Sequence, residues 1–467
     1  MNSDLIERID AEIEKARGNV ISDTIRFVNI KSVLGEPVKG APFGIGPKMM
    51  LDEFYRTAKN DGFHVTDYGV GVISASMKNA PIDLGIWLHG DVVPEGDGWI
   101  YPPYDAREYK GCIIGRGATD NKGQLAAAYN LFKIFNKLGI NLKHNVAIFL
   151  GSDEESGKRD ITGIEGNPDA KGFLNVASAP SLSLVPDSGF PVGYGGFGSL
   201  VIKVRSTEEL SGFDFTAGGT DDPGLAVANF KGEQSVETAP DGCEICEGGR
   251  ALSAYTLPRH GTRPDPDGNM ITVLANALSS LSFTSDSDKK ILAVMRDLSL
   301  DIYGEWHPVS NKEDKFSRLI VYPKAVAMVD NRPEMTLNIR FPYAFTYDSI
   351  IEAISSYAKS RGYEVSYTKK IANAYLLDKD TDIVKVLTEI ANTVCEMDKE
   401  PYILTGGTYA HDLPNAYVFG TDSNRHPEDF PKGHGGAHGV DEVVSVDRLL
   451  RMMRIYARAL LTLDEMM

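Results

Sequence analysis

Apolar positions along the chain fall into short continuous runs separated by stretches of helical spacing. Leu84, Ile86 and Leu88, with Ile82 and Trp87 adding bulk, predict a buried strand that ends at His89. Val146 to Leu150 and Leu182 to Val185 predict two more. Between them, residues 124 to 137 place Leu125, Ala128, Leu131, Phe132 and Phe135 on one helical face that Leu138 continues, with Gly139 at the stop. Upstream, helices are expected over residues 3 to 18 (Leu5, Ile6, Ile9 and Ile13, closed by Gly18), Ser22 to Asn29, and Gly46 to Asp61. Val65 to Ser76 reads as hairpin strands turning at Gly69 and Gly71. Strands alternating with helices imply an α/β fold around a mainly parallel sheet.

The texture changes near residue 192. A strand at Leu200 to Val204 leads into a loop-rich segment, 211 to 250, holding a helical stretch from Pro223 to Phe230. Helical patterns at 269 to 281 and 349 to 361 alternate with strand patterns at Val321 to Val329 and Met335 to Phe341. An α+β domain over 192–374 is therefore expected, inserted into a domain made of 1–191 and 375–467. The tail adds a helix from Thr381 to Met397, a strand-like Tyr417 to Gly420 and a closing helix from Ser445 to Thr462.

Composition narrows the class. With 467 residues, 42% hydrophobic and 24% charged, the chain suits a soluble globular protein of more than one domain. A net charge of −17 argues against nucleic-acid or anionic-membrane binding, because there is no basic excess to release counterions. No run of eighteen apolar residues predicts a membrane span, and the charged start lacks a signal core. Four cysteines suit a reducing cytoplasm. Cys243-x-x-Cys246 supplies only half a zinc ribbon.

The candidate chemistry sits where the strands end. His89-Gly90-Asp91 follows the first, and by itself reads equally as a metal ligand with its orienting carboxylate or as a structural hydrogen bond. Asp120 lies at a helix start, where an N-cap is the common use of Asp. Asp153-Glu154-Glu155 follows the second strand; by itself it reads as a solvated acidic turn or, since three such carboxylates would repel in a dry cleft, as a group that cations hold. Asp187 follows the third. In a parallel sheet these positions share the rim outside the carboxyl ends of the strands. A glycine-rich loop, Gly433 to Gly439, adds His434 and His438. Imidazole with carboxylate suits zinc, with manganese or cobalt as alternatives, and hydrolytic metal pairs stand about 3.5–4 Å apart.

His89-Gly90-Asp91-Val92-Val93-Pro94, Gly115-Arg116-Gly117 with Asp120, Asp153-Glu154-Glu155-Ser156-Gly157, Pro186-Asp187, and His438 within His-x-x-Asp-Glu together resemble the dizinc aminoacylase, carboxypeptidase and dipeptidase metallopeptidases. Length and the long middle segment look most like bacterial dipeptidases of the PepV type. The resemblance implies an α/β catalytic domain with an inserted lid over 192–374. It further implies two zinc ions, with Asp120 bridging both, His89 and Asp187 completing one site, and Glu155 and His438 the other. His438 is preferred to His434 because it carries the Asp441-Glu442 spacing. Asp91 would orient His89, and Glu154 would be the base for a metal-bridging water. His260, in His260-Gly261-Thr262-Arg263-Pro264, would donate to the oxyanion. Arg340, in Asn338-Ile339-Arg340-Phe341-Pro342, and the loop Gly406-Gly407-Thr408 would hold a substrate carboxylate.

Two departures bear on the substrate: His411 stands where Arg is usual, and Thr220-Asp221-Asp222-Pro223 lacks an expected Asn. The expected protein is a cytoplasmic, monomeric metallopeptidase hydrolysing dipeptides with a free C-terminal carboxylate, a lid-mediated dimer being the alternative assembly. The rival functions are an N-acyl amino-acid amidohydrolase and a non-catalytic metal-dependent peptide-binding protein. His64, His144, His307 and His426 are expected at the surface.

Overall fold

Three strands made almost wholly of apolar residues, Leu84–His89, Val146–Gly151 and Leu182–Val185, lie parallel with every residue buried. Covered on both faces, they need no polar alternation, which is why each reads as a continuous run. In the computed structural model, which describes residues 3–164, 170–218, 224–256, 268–314, 316–421, 426–427 and 429–467, they form the middle of a mixed sheet. Its spatial order is His64–Asp67, Ile73–Ser76, Val146–Gly151, Leu84–His89, Leu182–Val185, Ala416–Val418, then a strand beginning at Gly193. The first two are antiparallel additions, and Ala416–Val418 continues the parallel set.

Helices Ser3–Lys15, Arg17–Val28, Gly123–Leu138, Asp382–Cys395 and Val446–Met466 pack their apolar stripes into one core with this sheet. Gly139 ends helix Gly123–Leu138 in the left-handed region, φ 65°, as its position after Leu138 predicts. Inside the sheet Trp87 stacks on Phe149 at 4.1 Å and donates its indole N–H to Ser183 Oγ at 3.2 Å. A buried indole thus finds both its apolar area and its one acceptor.

The chain divides into two units: Met1–Gly195 with Leu377–Leu404 and Thr408–Met467, and Gly196–Leu376 with Thr405–Gly407. The second unit carries an eight-stranded antiparallel sheet, ordered Glu244–Cys246, Ala251–Tyr255, Leu225–Phe230, Phe213–Gly218, Ile320–Val329, Arg332–Phe341, Gly198–Ser206 and Tyr363–Ala372. Its core takes in helices Met270–Ser280, Asp286–Leu300 and Tyr347–Lys359.

Several expectations are corrected. The helix expected over 3 to 18 ends at Lys15, and Gly18 lies in the first turn of the next. Burial of Val20, Thr24, Phe27 and Val28 outweighs the roughly 1 kcal/mol that glycine costs a helix. The helix expected from Pro223 to Phe230 is instead the strand Leu225–Phe230; Ala226, Ala228 and Phe230 alternate into the core and both edges are paired. Its small side chains carry little strand preference, so partner strands decide it. Asp286–Leu300 is an additional helix, capped by Ser285 accepting from Asp288 N–H. His307 is buried rather than exposed, edge-on to Phe345 at 4.9 Å with Nδ1 accepting from Val309 N–H. None of the four cysteines forms a disulfide among the described residues. Among the described residues no helix is long and apolar enough to cross a membrane.

Ile148 pairs with Ile86 on one side and Ala75 on the other and has no exposed surface. Ile148→Ala is expected to destabilise the first unit by about 2–5 kcal/mol. Denaturant titration followed by near-ultraviolet circular dichroism measures it; an unmoved midpoint would contradict this account of the core.

Candidate metal centre and active site

The carboxyl ends of the parallel strands deliver the ionisable groups to one rim. His89 is the last residue of its strand, Glu154 and Glu155 follow Gly151 in the loop after theirs, and Asp187 comes two residues after Val185. Asp120 sits where the backbone leaves helical geometry (φ −143°, ψ 86°) just before helix Gly123–Leu138. His438 comes from the loop between Ala416–Val418 and Val443–Ser445, in the left-handed region at φ 63°. A non-glycine residue there costs of order 1–2 kcal/mol, so surrounding contacts hold it.

The two oxygens of Asp120 face different imidazoles. Oδ1 lies 2.9 Å from His89 Nε2, and Oδ2 lies 3.3 Å from His438 Nε2. Asp187 Oδ2 stands 3.9 Å from His89 Nε2, and Glu155 Oε2 stands 3.1 Å from His438 Nε2. Two ligand groups result, His89–Asp120–Asp187 and Asp120–Glu155–His438, each with donor atoms within 4.8 Å of one another. Two imidazoles and three carboxylates without thiolate fit a pair of borderline divalent cations sharing one bridging carboxylate. His89 Nδ1 lies 3.0 Å from the backbone carbonyl of Asp91, which can only accept, so Nδ1 carries the hydrogen and Nε2 is the ligand atom.

Buried carboxylates hold the loops that present these ligands. Asp91 Oδ1 and Oδ2 accept from Glu154 N–H (3.2 Å) and Glu155 N–H (3.1 Å). The Asp91 carboxylate thus stations the acidic loop, while its carbonyl orients His89. Glu442 accepts from Gly117, Thr119 and Asp120 N–H at 2.9, 2.8 and 3.0 Å, and from Arg116 Nη1 at 2.9 Å. Gly117, at φ 88°, supplies the turn that aims those amides inward. Asn121 Nδ2 donates to Pro186 O at 3.0 Å and Asp187 Oδ1 at 3.3 Å, tying the Asp187 loop to the residue after Asp120. Asp441 accepts from Ile100 N–H (3.0 Å), Tyr101 N–H (2.8 Å) and His434 Nδ1 (2.6 Å), which gives His434 a partner apart from the ligand groups.

The charges in this cluster do not balance by themselves. Burial opposes ionisation of Asp120, but hydrogen bonds from His438 and His89 outweigh it and hold the carboxyl well below its usual range. Burial opposes charge on His438 too, yet Asp120 and Glu155 raise it to about 11, and His89 is likewise raised by Asp120, Asp187 and Asp91. Burial and then the charge of Asp120 push Glu155 up to about 7 and Asp187 well above its ordinary value.

The sequence-predicted His89, Asp91, Asp120, Glu154, Glu155, Asp187 and His438 all lie in the first unit, in the contacts given above. Glu154 is 9% exposed, with Lys158 Nζ 3.9 Å from Oε1. Thr408 belongs to the first unit, whereas Gly406, Gly407 and Arg340 belong to the second. Arg340 alternates with the buried Ile339 and Phe341 on its strand. His260, and the segment Thr220 to Pro223, lie outside the described residues. Asn121 and Asp160 were not singled out from sequence, and Glu442 entered only through its spacing from His438. Gly115-Arg116-Gly117 does advertise free amides and a cation for a carboxylate, but the partner is 325 residues away.

The sequence pattern of peptidase family M20/M25/M40 matches residues 86–462, and the chain belongs to this family. It is similar to the "Putative dipeptidase" of Staphylococcus haemolyticus, 24% identical over 492 aligned residues that cover 97% of this chain and 98% of the relative. The fold resembles a di-peptidase of Saccharomyces cerevisiae (TM-score 0.58, 14% identity, 98% of both chains). It also resembles a dinuclear metal-binding M20 peptidase of Bacillus subtilis (TM-score 0.52, 11% identity, 97% of this chain and 100% of the other).

Two outcomes follow from the geometry. His438 and His89 must lose a proton before binding a cation, and Glu155, at about 7, gives up part of one near neutrality. Metal affinity should therefore rise with pH between 6 and 8, roughly tenfold per unit for each proton released. Calorimetry in buffers of different ionisation enthalpy measures that release; uptake without proton release would refute the ligand assignment. Asp91→Ala keeps the carbonyl that orients His89 but frees Glu154 and Glu155. Its turnover should fall by roughly 10–100-fold with metal content retained, as steady-state kinetics alongside elemental analysis would report.

Proposed function

We propose that this peptidase is a dizinc dipeptidase that cleaves short peptides bearing a free C-terminal carboxylate. The observation that carries the reading is Asp120, with one oxygen toward His89 and the other toward His438, while Asp91 holds the backbone N–H of Glu154. The dipeptidase names of the bacterial relatives support the substrate class. Zinc is preferred because imidazoles share the site with carboxylates, with manganese or cobalt as alternatives.

Bound as a pair, the cations would polarise the scissile carbonyl and bring the pKa of a water to near 7. Glu154 takes a proton from the attacking water and returns it to the departing amine, one carboxylate serving as base and then acid. Asp91 keeps Glu154 and Glu155 in register by holding consecutive backbone N–H groups. His260 donates to the developing oxyanion, and Arg340 with Gly406, Gly407 and Thr408 receives the substrate carboxylate, for which a guanidinium fork and backbone amides are well shaped. His411, where Arg is usual in the family, bears on side-chain preference.

Glu154→Gln should lower kcat on dipeptides by roughly 10²–10⁴-fold while two equivalents of metal remain by elemental analysis. Retained turnover would remove Glu154 from the mechanism. A panel of free dipeptides beside N-acetylated amino acids separates the two enzymatic readings. Turnover confined to the acetylated set would make the protein an amidohydrolase, and none in either set would favour a peptide-binding protein.

A further inference from the structure

Four successive backbone N–H groups after strand Val146–Gly151 are taken by two buried carboxylates. Asp91 takes those of Glu154 and Glu155. Asp160 Oδ2 takes those of Ser152 (2.7 Å) and Asp153 (3.2 Å). Asp160 lies on the short helix Arg159–Thr162 and has no exposed surface. Asp153 answers in the opposite direction: its Oδ2 accepts from Arg159 N–H at 2.9 Å and Nε at 2.7 Å, and its Oδ1 from Nη2 at 2.5 Å. Residues 151 to 160 thus close on themselves with Glu154 and Glu155 at the turn.

One further group reaches Asp160 from a distant part of the chain. The Tyr409 hydroxyl donates to the same Oδ2 at 2.5 Å, across 249 residues of sequence. Tyr409 is 1% exposed, edge-on to Trp87 at 6.1 Å, and opens the turn Tyr409–His411 capped by Thr408. The hydroxyl lies so close to the strand end that a Cβ on Gly151 would stand 1.9 Å from it, so only glycine admits this approach. A buried hydroxyl needs an acceptor, and this one has been given the carboxylate that sets the backbone two residues before Glu154.

We propose that Tyr409, acting through Asp160, is a positioning residue for Glu154. It forms with Asp91 the second half of a clamp on the acidic loop, and it links that loop to the segment following Gly406-Gly407-Thr408. The proposal rests on Glu154 as the catalytic base. Asp91 fixes the loop beside the metal ligands, and Tyr409–Asp160 fixes where the loop leaves the sheet. Losing either lets the Glu154 carboxylate swing, and displacements of about 1 Å cost catalysis up to 10²-fold.

The test uses the full-length, zinc-loaded enzyme with a dipeptide substrate. Tyr409→Phe removes the hydroxyl alone and should lower kcat roughly tenfold, leaving KM within about twofold and metal content unchanged. In a Glu154→Gln background the same substitution should produce no further loss of the residual turnover. Asp160→Asn, which keeps a carbonyl oxygen for Ser152 N–H, should lose less activity than Asp160→Ala, and it tests the clamp if Tyr409→Phe folds poorly. Wild-type kcat in Tyr409→Phe, or an equal loss with and without Glu154, would overturn the clamp. An active Glu154→Gln would instead overturn the base assignment, and the positioning role with it.

Discussion

Buried carboxylates that capture backbone N–H groups are the interaction on which the site depends. Where the main chain leaves its strands, the loops around the site carry amides with no partner in a sheet. Glu442 takes three of them before helix Gly123–Leu138, Asp91 and Asp160 take four after Val146–Gly151, and Asp441 takes those of Ile100 and Tyr101. Each such bond gives a buried backbone N–H the acceptor it needs at a fixed point of the fold. Because both partners are out of water, removing one leaves an uncompensated group, so the loops are held far more firmly than surface loops.

That scaffolding lets the protein collect like charges where they would otherwise repel. Asp120, Glu155 and Asp187 converge with only two imidazoles, and Glu154 stands beside them. Burial and the charge of Asp120 raise Glu155 and Asp187, and the neighbouring carboxylates raise His438 and His89. The strained loop of His438 and the non-helical backbone of Asp120 are the structural counterpart. The left-handed backbone of His438 is a conformation a site keeps only when its surroundings over-determine it.

The division into two units places the groups of the proposed reaction on different parts of the fold. Every candidate metal ligand and Glu154 belong to the first unit, built on a parallel sheet whose rim gathers them. Arg340 lies on an antiparallel strand of the second, and Gly406 and Gly407 belong with it. Rigid strand ends suit the reacting groups, whose geometry must hold to a fraction of an ångström.

The sequence by itself determined the parts that are local. Apolar runs marked the parallel strands and the residues that follow them, and helical spacing with Gly139 marked Gly123–Leu138. His89, Asp120, Glu154, Glu155, Asp187 and His438 were named from short-range motifs, and the fold brings His89, Asp120, Glu155, Asp187 and His438 into two candidate ligand groups. Tertiary structure alone decided what local pattern does not encode. Leu225–Phe230 became a strand through its two neighbours, and Asp91 proved to hold the acidic loop with its carboxylate while orienting His89 with its carbonyl. His434 went to Asp441. The role of Glu442 and the Tyr409–Asp160 pair escaped notice because a buried carboxylate is identified by what it touches, and its partners lie hundreds of residues away in the chain. Spacing records which groups a loop carries; only folding brings together the distant carboxylates that hold it still.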